Sequence, residues 1–574
     1  MQAQTRPTGS NRQAPDAPPT TRSAAPAWRT RVPRLLAWVV RIAAAVPLLD
    51  VLRSEHDRYP SVRLDLLADA VTILVAVLAS AAMIFLAGGL ARRKRRAWVL
   101  MLAVISVGTL AHVTAGHTIA LAVNLALLAA LIWARRDFTA ASDARGRLMA
   151  VRVFLVMAPV SFVAGMLLTR RTAPGSSFWQ RCTEVFFGLL GFAPDVSFAR
   201  GRAATLTEDV LNGLGALTAL LVLVAFLAPV RRRPGVTPED ETRVRDLLAG
   251  FGGQDSLGYF ALRPDKCVLF SPSGKAAVAY RVVGSVSLAA GDPLGDVEAW
   301  PGAISAWLAD ADRHAWVPGV IGASEQGAIA YARAGMDALE LGDEAVLGLS
   351  EFTLDGRAMR AVRQGVNRVQ RAGYTLDVRR QHDVPEAELA EAAQGAEQLR
   401  EEEVERGFSM ALGRVGDPRD PDVVLARVRD GEGRLVAVLT FVPWGGDGLS
   451  LDVMRRARDS ENGTVEFAVT GVAAAAGDLG VARISLNFAV FRSVFERGTR
   501  VGAGPVTRLW RRILLFGSRW WQIESLYRAN AKYHPEWLPR FVCFRVAREL
   551  PRVAVAMLEA EAFVARPRWR WLGR

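Results

Sequence analysis

The stretch VVLARVRDGEGRLVAVLTFVPWGGDGLSLDVMRR, Val423–Arg456, decides the fold. Its apolar runs Val423–Arg429 and Leu435–Pro443 are short and rich in β-branched residues, the signature of strands. Between them, DGEG (Asp430–Gly433) has hairpin chemistry, an Asp to hydrogen-bond its own backbone and a Gly free to take positive φ. Working outward, Leu449–Val453 predicts a third strand, Thr464–Leu479 a helix and Ala482–Ala489 a further strand. A similar run stands earlier in the chain. Cys267–Ser271, Lys275–Val283 and Ser285–Ala290 predict a meander, and GDPLGD (Gly291–Asp296) a turn. Trp300–His314 then predicts a helix, Trp316–Ala323 a strand and Gln326–Ala334 a helix.

Meander, helix, strand, helix is the order of an N-acetyltransferase-like fold. The chain from residue 234 onward is therefore expected to form two such α/β folds in tandem. The first, with a charged bridging helix at Glu386–Glu405, takes residues 234–405, and the second takes 406–574. Before Arg231 the sequence is of another kind. Six apolar runs, Val32–Leu52, Leu66–Leu90, Ala97–Ala115, Thr118–Ala134, Ala150–Leu168 and Asn212–Val230, each approach the roughly 20 residues that cross a hydrocarbon core. The fold class expected is thus an α-helical six-span membrane domain, 32–233, followed by the tandem acetyltransferase-like domain. Residues 1–31, rich in Pro, Ala, Thr and Arg, read as a disordered tail.

Basic clusters orient the spans. They lie before the first run (Arg22, Arg29, Arg31, Arg34) and after the second (Arg92, Arg93, Lys94, Arg95, Arg96), the fourth (Arg135, Arg136) and the sixth (Arg231, Arg232, Arg233). Six crossings put all four on one side, which the positive-inside rule makes cytoplasmic, with both termini and the α/β domain. The localisation expected is a bacterial inner membrane. The aromatic segment Phe178–Pro194 is too short to span comfortably and reads as an interfacial or re-entrant helix. A net charge of +14 favours polyanionic partners, nucleic acid or anionic lipid, although positive-inside loops account for part of it. Three widely spaced cysteines and six unclustered histidines offer no metal-ligand pattern and no disulfide framework.

Several motifs extend the reading: FSPSGKAAVAYRVVG (Phe270–Gly284) with GDPLGD; GDEAVLGLSEFTLDGRAMRAVRQGVNRVQRAGY (Gly342–Tyr374); SLDVMRR (Ser450–Arg456); ENGTVEF (Glu461–Phe467); ARISLNFAVF (Ala482–Phe491); and SLYRANAKYHPEWLPRFV (Ser525–Val542). Their order and spacing over some 300 residues resemble the synthase domain of the lysylphosphatidylglycerol synthase family, the multiple peptide resistance factor proteins. The likeness is to the short actinobacterial form, here expected without a flippase bundle or a fused tRNA synthetase. The resemblance implies transfer of an amino acid, lysine foremost, from aminoacyl-tRNA to phosphatidylglycerol. Another lipid acceptor, or a membrane-anchored lipid- or tRNA-binding protein without activity, are the alternatives.

The chemistry is a transesterification. The ester on tRNA is already activated, so no ATP is called for, and no phosphate-binding P-loop is present; no cofactor is expected. The pyrophosphate loop of acetyl-CoA enzymes is missing too, since RVRDGEG (Arg427–Gly433) has the wrong register and sits in a hairpin. A hydroxyl must lose its proton to a base, and an oxyanion and a lipid phosphate need positive charge or donors. Asp452 and Arg455 match the family's Asp-x-x-Arg motif, Asp452 for the substrate ammonium or as base and Arg455 for phosphate or the tRNA end. Their other reading, without the resemblance, is a structural ion pair closing a strand end. Glu466 opens a helix, where an acid binds an ammonium or simply complements the dipole. Lys532 suits phosphate or the oxyanion, with Arg528 and Arg540 as phosphate binders, and Tyr527 and Asn487 as polar contacts. Arg363, Asn367, Arg368 and Arg371 recur at helical spacing, a face for tRNA phosphates or a solvated basic surface. No Ser-His-Asp arrangement can be assembled, so no acyl-enzyme is expected.

Overall fold

The structure is a computed structural model that describes residues 32–33, 35–44, 66–115, 118–138, 140, 144–172, 175–191, 202–227, 235–400, 407–490 and 529–564. Two compact units emerge, one of residues 1–140 and 150–227, the other of residues 141–149 and 228–574.

The first unit is helical. Its helices are α1 (Leu35–Ala44), α2 (Leu66–Ala91), α3 (Arg95–Ala115), α4 (Thr118–Trp133), α5 (Ala144–Thr172), α6 (Phe178–Leu189) and α7 (Arg202–Phe226). The described part of every apolar run read from the sequence is helical or ends a helix. The six spans do not all follow, because among the described residues only Gly146–Thr172 and Thr207–Phe226 are long and apolar enough to cross a membrane. α4 stops at 16 residues, and only ten residues of α1 are described. Solvent exposure is telling. Among the described residues, the strongly exposed large apolar side chains all precede residue 231, save Phe251, Ile329, Met454, Val555 and Val564. So large an apolar surface asks for a non-aqueous neighbour. Of the basic clusters, those at 92–96 and 135–136 meet at one end of the unit, beside the end of α7, while the arginines of those at 22–34 and 231–233 lie outside the described residues. Lys94 Nζ donates to the Leu227 carbonyl at the end of α7 (2.6 Å), and Arg93 Nε to the Asp137 carbonyl beyond α4 (2.9 Å). α6 is closed at its start by a Ser177–Gln180 capping box and leaves Phe178, Trp179, Phe186 and Phe187 exposed.

The second unit opens with α8 (Pro238–Phe251), then β1 (Cys267–Phe270), β2 (Ala276–Val283), β3 (Val286–Ala290), β4 (Leu294–Gly295), α9 (Trp300–Arg313), β5 (Val317–Ala323), α10 (Glu325–Arg333) and β6 (Asp337–Gly348). It continues with α11 (Arg360–Arg371), β7 (Thr375–Arg380), α12 (Glu386–Gln398), β8 (Val424–Arg429), β9 (Leu435–Trp444), β10 (Gly448–Arg456), α13 (Thr464–Ala474), α14 (Ala476–Leu479), β11 (Arg483–Val490), β12 (Glu536–Phe544) and α15 (Leu550–Ala560). All twelve strands form one sheet in the order β1-β2-β3-β5-β12-β6-β11-β10-β9-β8-β7, with β4 beside β2.

Two halves of like topology are visible in that order. Each is an antiparallel meander followed by a helix and a strand parallel to the last meander strand, β3 with β5 and β10 with β11. The expected boundary at residue 405 moves, because β7 pairs with β8 and α12 packs on β9. The helix read as a bridge thus belongs to the second half. The final strand of each half crosses over. β6, from the first half, pairs with β11, and β12, from the second, pairs with β5, while β6 and β12 pair with each other. Neither half is complete without the other's strand. The first sheet region is covered on one face by α9 and α10, around Trp300, Trp307 and Tyr331, and on the other by α8 and α15.

At the crossing lies a buried charge network. Arg540 of β12 donates through Nε and Nη2 to Glu344 Oε2 of β6 (2.9 and 2.5 Å), and through Nη1 to Asp255 Oδ1 (2.7 Å) and the Gly322 carbonyl (3.1 Å). Its Nη2 also donates to Ser256 Oγ (2.6 Å). Asp292 lies alongside, its carboxylate accepting from Ser324 N (2.8 Å) and Ser324 Oγ (2.5 Å). Burial, and then the charge of Asp255, push Asp292 up to about 7. A carboxyl raised in the fold favours folding while protonated. Its stabilising share is complete below the ordinary carboxylate pKa of about 4 and is lost as pH rises through 7. Asp292→Asn, which keeps the acceptor for Ser324 N, is expected to remove that loss. The thermal midpoint of the variant minus that of the native chain should grow from pH 5 to pH 8; a constant difference would mean that Asp292 does not titrate in this range.

Candidate functional site

β10 and β11 run parallel for three residue pairs only, ending at Ser450↔Ser485. Beyond them each strand is bulged, β10 between Leu451 and Met454 and β11 between Ser485 and Phe488, and the strands part, one following β9 and the other β6. The equivalent pair of the first half, β3 and β5, stays in register from Val286↔Val317 to Ala290↔Ile321. Asn487 spans the gap. It is held at φ +66°, which Asn tolerates, and donates Nδ2 to the Leu451 carbonyl (2.6 Å), while its Oδ1 is buried without a hydrogen-bond partner.

Where the strands part, a cavity of about 310 Å³ opens. Its wall is made by Leu451, Met454 and Arg456 of β10, Leu486 of β11, Glu461–Val465, Glu466 and Val469 at the start of α13, and Ala529, Asn530, Lys532 and Tyr533. No side chain caps α13; Gly463 takes the N-cap position at φ +112°. Glycine is required there twice over, by that φ and because a Cβ would stand 2.6 Å from the Gly365 carbonyl oxygen of α11. The uncapped first turn leaves partial positive charge at the cavity wall. Glu466 stands in this turn, and its carboxylate is ion-paired with the Lys532 ammonium, both side chains about three-quarters buried at 21% and 26% exposure. The ammonium also lies 5.4 Å from the Tyr533 ring centre. Asn530 Nδ2 donates to the Leu486 carbonyl (3.2 Å), tying this segment to β11.

Of the residues singled out in the sequence, Glu466 and Lys532 thus come together in the cavity, and Asn487 holds the Leu451 carbonyl of its wall without lining it. Asp452 and Arg455 do not line it. Asp452 Oδ1 accepts from the peptide N–H groups of Leu412 (2.6 Å) and Gly413 (3.2 Å), and Oδ2 from Thr440 Oγ1 (3.1 Å). Arg455 Nη1 donates to the Ala396 carbonyl of α12 (2.7 Å). Both are on the sheet face that packs on α12, whereas Leu451 belongs to the core under α13. Arg540 is not a phosphate binder on the surface but the buried centre of the β6–β12 network, 3% exposed and with every guanidinium nitrogen engaged. Tyr527 and Arg528 lie outside the described residues. On α11, Val362, Val366 and Val369 are buried and Asn367, Arg368 and Arg371 exposed. Arg363 turns back to donate to the Leu354 and Gly356 carbonyls. Asn530 and Arg456 were not singled out from sequence, and Tyr533 was read only as an aromatic neighbour of Lys532, Arg528 and Arg540. Only the turn that brings Tyr533 N to the Asn530 carbonyl (3.1 Å) sets them around one space.

The family model described as phosphatidylglycerol lysyltransferase, C-terminal, matches residues 245–544. The chain is 45% identical over 496 residues to the lysylphosphatidylglycerol biosynthesis bifunctional protein LysX of Mycobacterium avium, covering 84% of this chain and 42% of that protein. It is 44% identical over 495 residues to the protein of that name from Mycobacterium tuberculosis, with the same coverage of 84% and 42%. The chain therefore spans less than half the length of these relatives. Among solved structures, L-PGS from Bacillus licheniformis is 23% identical with a TM-score of 0.49, covering 58% of this chain and 98% of that one.

The reassignment of Arg540 is open to test. Arg540→Ala leaves Glu344 and Asp255 buried without their cation, at a cost of about 3–5 kcal/mol. The expected result is a large fall in the denaturation midpoint; a surface phosphate ligand would instead leave the midpoint in place.

Proposed function

We propose, on the premise that this chain belongs to the phosphatidylglycerol lysyltransferase C-terminal family, that it transfers an aminoacyl group, lysyl foremost, from aminoacyl-tRNA to phosphatidylglycerol. The observation that carries the site is the Glu466–Lys532 pair in the wall of the cavity between the parted strands. The glycerol hydroxyl of the lipid gives its proton to a carboxylate as its oxygen attacks the ester carbonyl. The tetrahedral oxyanion then collapses, a new ester forms, and the tRNA ribose oxygen leaves, taking up a proton. Glu466 is the carboxylate at hand for the first proton, with Glu461 at the cavity rim for a substrate ammonium. Lys532 and the uncapped start of α13 offer positive charge to the oxyanion or the lipid phosphate. Asp452 and Arg455 act through their hold on the 412–413 loop and on α12.

The exposed basic face of α11 suits the tRNA backbone. α11 meets α13 at Gly365 and Gly463, so that face begins beside the cavity wall. The exposed apolar surface of the first unit supports membrane embedding, and the meeting of its basic clusters at 92–96 and 135–136 supports their lying on one side, the cytoplasmic one. Six spans, with the α/β unit and both termini cytoplasmic in the inner membrane of a bacterium, are part of this reading, as are the division of the α/β unit into two folds and the short tail at 1–31.

Membranes containing the protein, incubated with radiolabelled lysyl-tRNA or alanyl-tRNA, should transfer label to phosphatidylglycerol. Ribonuclease should abolish the transfer, and Glu466→Gln and Lys532→Ala should each reduce it at least a hundredfold, in keeping with the usual 10²–10⁴ share of acid–base and oxyanion groups. Labelling that survives ribonuclease would remove tRNA as donor, and labelling that survives both substitutions would move the site elsewhere.

A further inference from the structure

Tyr533 carries a feature that the pairing of Glu466 with Lys532 leaves unused. Its side chain is 4% exposed and packs in the core beneath α13, yet its hydroxyl has no hydrogen-bond partner. A buried hydroxyl without a partner is costly and is rarely kept for stability alone. The Tyr533 ring centre lies 5.4 Å from the Lys532 ammonium that pairs with Glu466, and all three residues line the one cavity. Glu466 meanwhile has one side-chain donor, the ammonium of the adjacent Lys532, a residue that also faces the cavity. Lys532 has two claims on it. In the empty cavity it neutralises Glu466, but an anionic group entering the cavity competes for the same ammonium. When the ammonium turns to that group, Glu466 is left as a largely buried carboxylate without a donor, unless a second donor stands by.

We propose that Tyr533 is a positioning residue for Glu466, its hydroxyl taking over the carboxylate as Lys532 is drawn to an anionic substrate group. The phenol holds Glu466 in place as a carboxylate until it accepts the proton. Phe at this position would pack equally well and lack only the donor. The activity half of this inference rests on the transferase reading given above; the structural half rests on geometry alone.

The test is a double-mutant cycle on the full-length, detergent-solubilised protein, read by thermal midpoint without any substrate. In the native background Tyr533→Phe removes an unpartnered hydroxyl and should leave the midpoint unchanged or raise it. In a Lys532→Met background, where Glu466 has lost its ammonium, the same substitution should lower the midpoint by roughly 2–4 °C, the shift expected when one hydrogen bond is lost in a domain of this size. Equal effects in both backgrounds would overturn the proposal. In the labelling assay Tyr533→Phe alone should lower kcat about tenfold with KM for lysyl-tRNA little changed, and move the acid limb of the pH profile upward, since Glu466 loses a donor to its charged form. Native activity with an unchanged pH profile in Tyr533→Phe would likewise sink it. A native chain that labels no lipid would count against the transferase reading, while the stability cycle would still decide whether the phenol serves Glu466.

Discussion

The Arg540 guanidinium is the contact on which the α/β unit depends. It sits where β12 lies between β5 and β6, and it binds both neighbours, Glu344 on β6 and the Gly322 carbonyl on β5. Two buried carboxylates, Glu344 and Asp255, are tolerable here only because this cation is among them, and the cation only because of them. The network reaches the base of the cavity. Glu344 Oε1 accepts from Ser256 Oγ and from Ser485 Oγ of β11, and Ser450 Oγ of β10 donates to the Ser256 carbonyl (2.7 Å). Ser450 and Ser485 are the last residues that β10 and β11 hold in parallel register. The point at which the strands part is thus pinned to the point at which the two halves exchange strands.

That coupling explains how the second half comes to open a cavity where the first half keeps its strands paired. β3 and β5 remain paired, and α15 lies over them, with Val553 filling the space that a side chain at Gly319 would need. The first half spends its sheet on packing. In the second half the bulges divert β10 and β11, Asn487 bridges them at the cost of a left-handed backbone, and α13 begins over the opening. The orphaned Asn487 Oδ1 and Tyr533 hydroxyl stand there.

Local chemistry made much of this readable in advance. The DGEG hairpin closes as its residues dictate, with Gly433 at φ +83° and its N–H on the Asp430 carbonyl (2.9 Å). The meander strands and α9, α10 and α13 lie within a few residues of where periodicity placed them, because each is decided by neighbours in the chain. β6, β7 and β12 were not drawn as strands, and their pairing explains why. β6 and β12 are defined by each other across nearly two hundred residues, a partnership that no window of sequence contains. Arg540 illustrates the same limit at the level of a side chain. An Arg eight residues after Lys532 reads as a phosphate binder, and only the register of β12 against β6 turns it inward.

Asp452 and Arg455 show how a motif can matter without touching the cavity. Alternation along a strand would put Leu451 and Asp452 on opposite faces, and the bulge between Leu451 and Met454 keeps Asp452 and Arg455 together on the α12 side. From there Asp452 collects the N–H groups of Leu412 and Gly413 and the hydroxyl of Thr440, while Thr440 Oγ1 also accepts from Val453 N (3.1 Å), a peptide group that the bulge takes out of the ladder. The carboxylate and the Thr hydroxyl therefore satisfy groups that a regular strand would have satisfied by itself. Holding the bulge holds the opposite face too, and Leu451, Met454 and Arg456 are the residues that β10 gives to the cavity wall. An Asp at position 452 and an Arg at 455 shape the space in which Glu466 and Lys532 meet, by fixing the strand from behind.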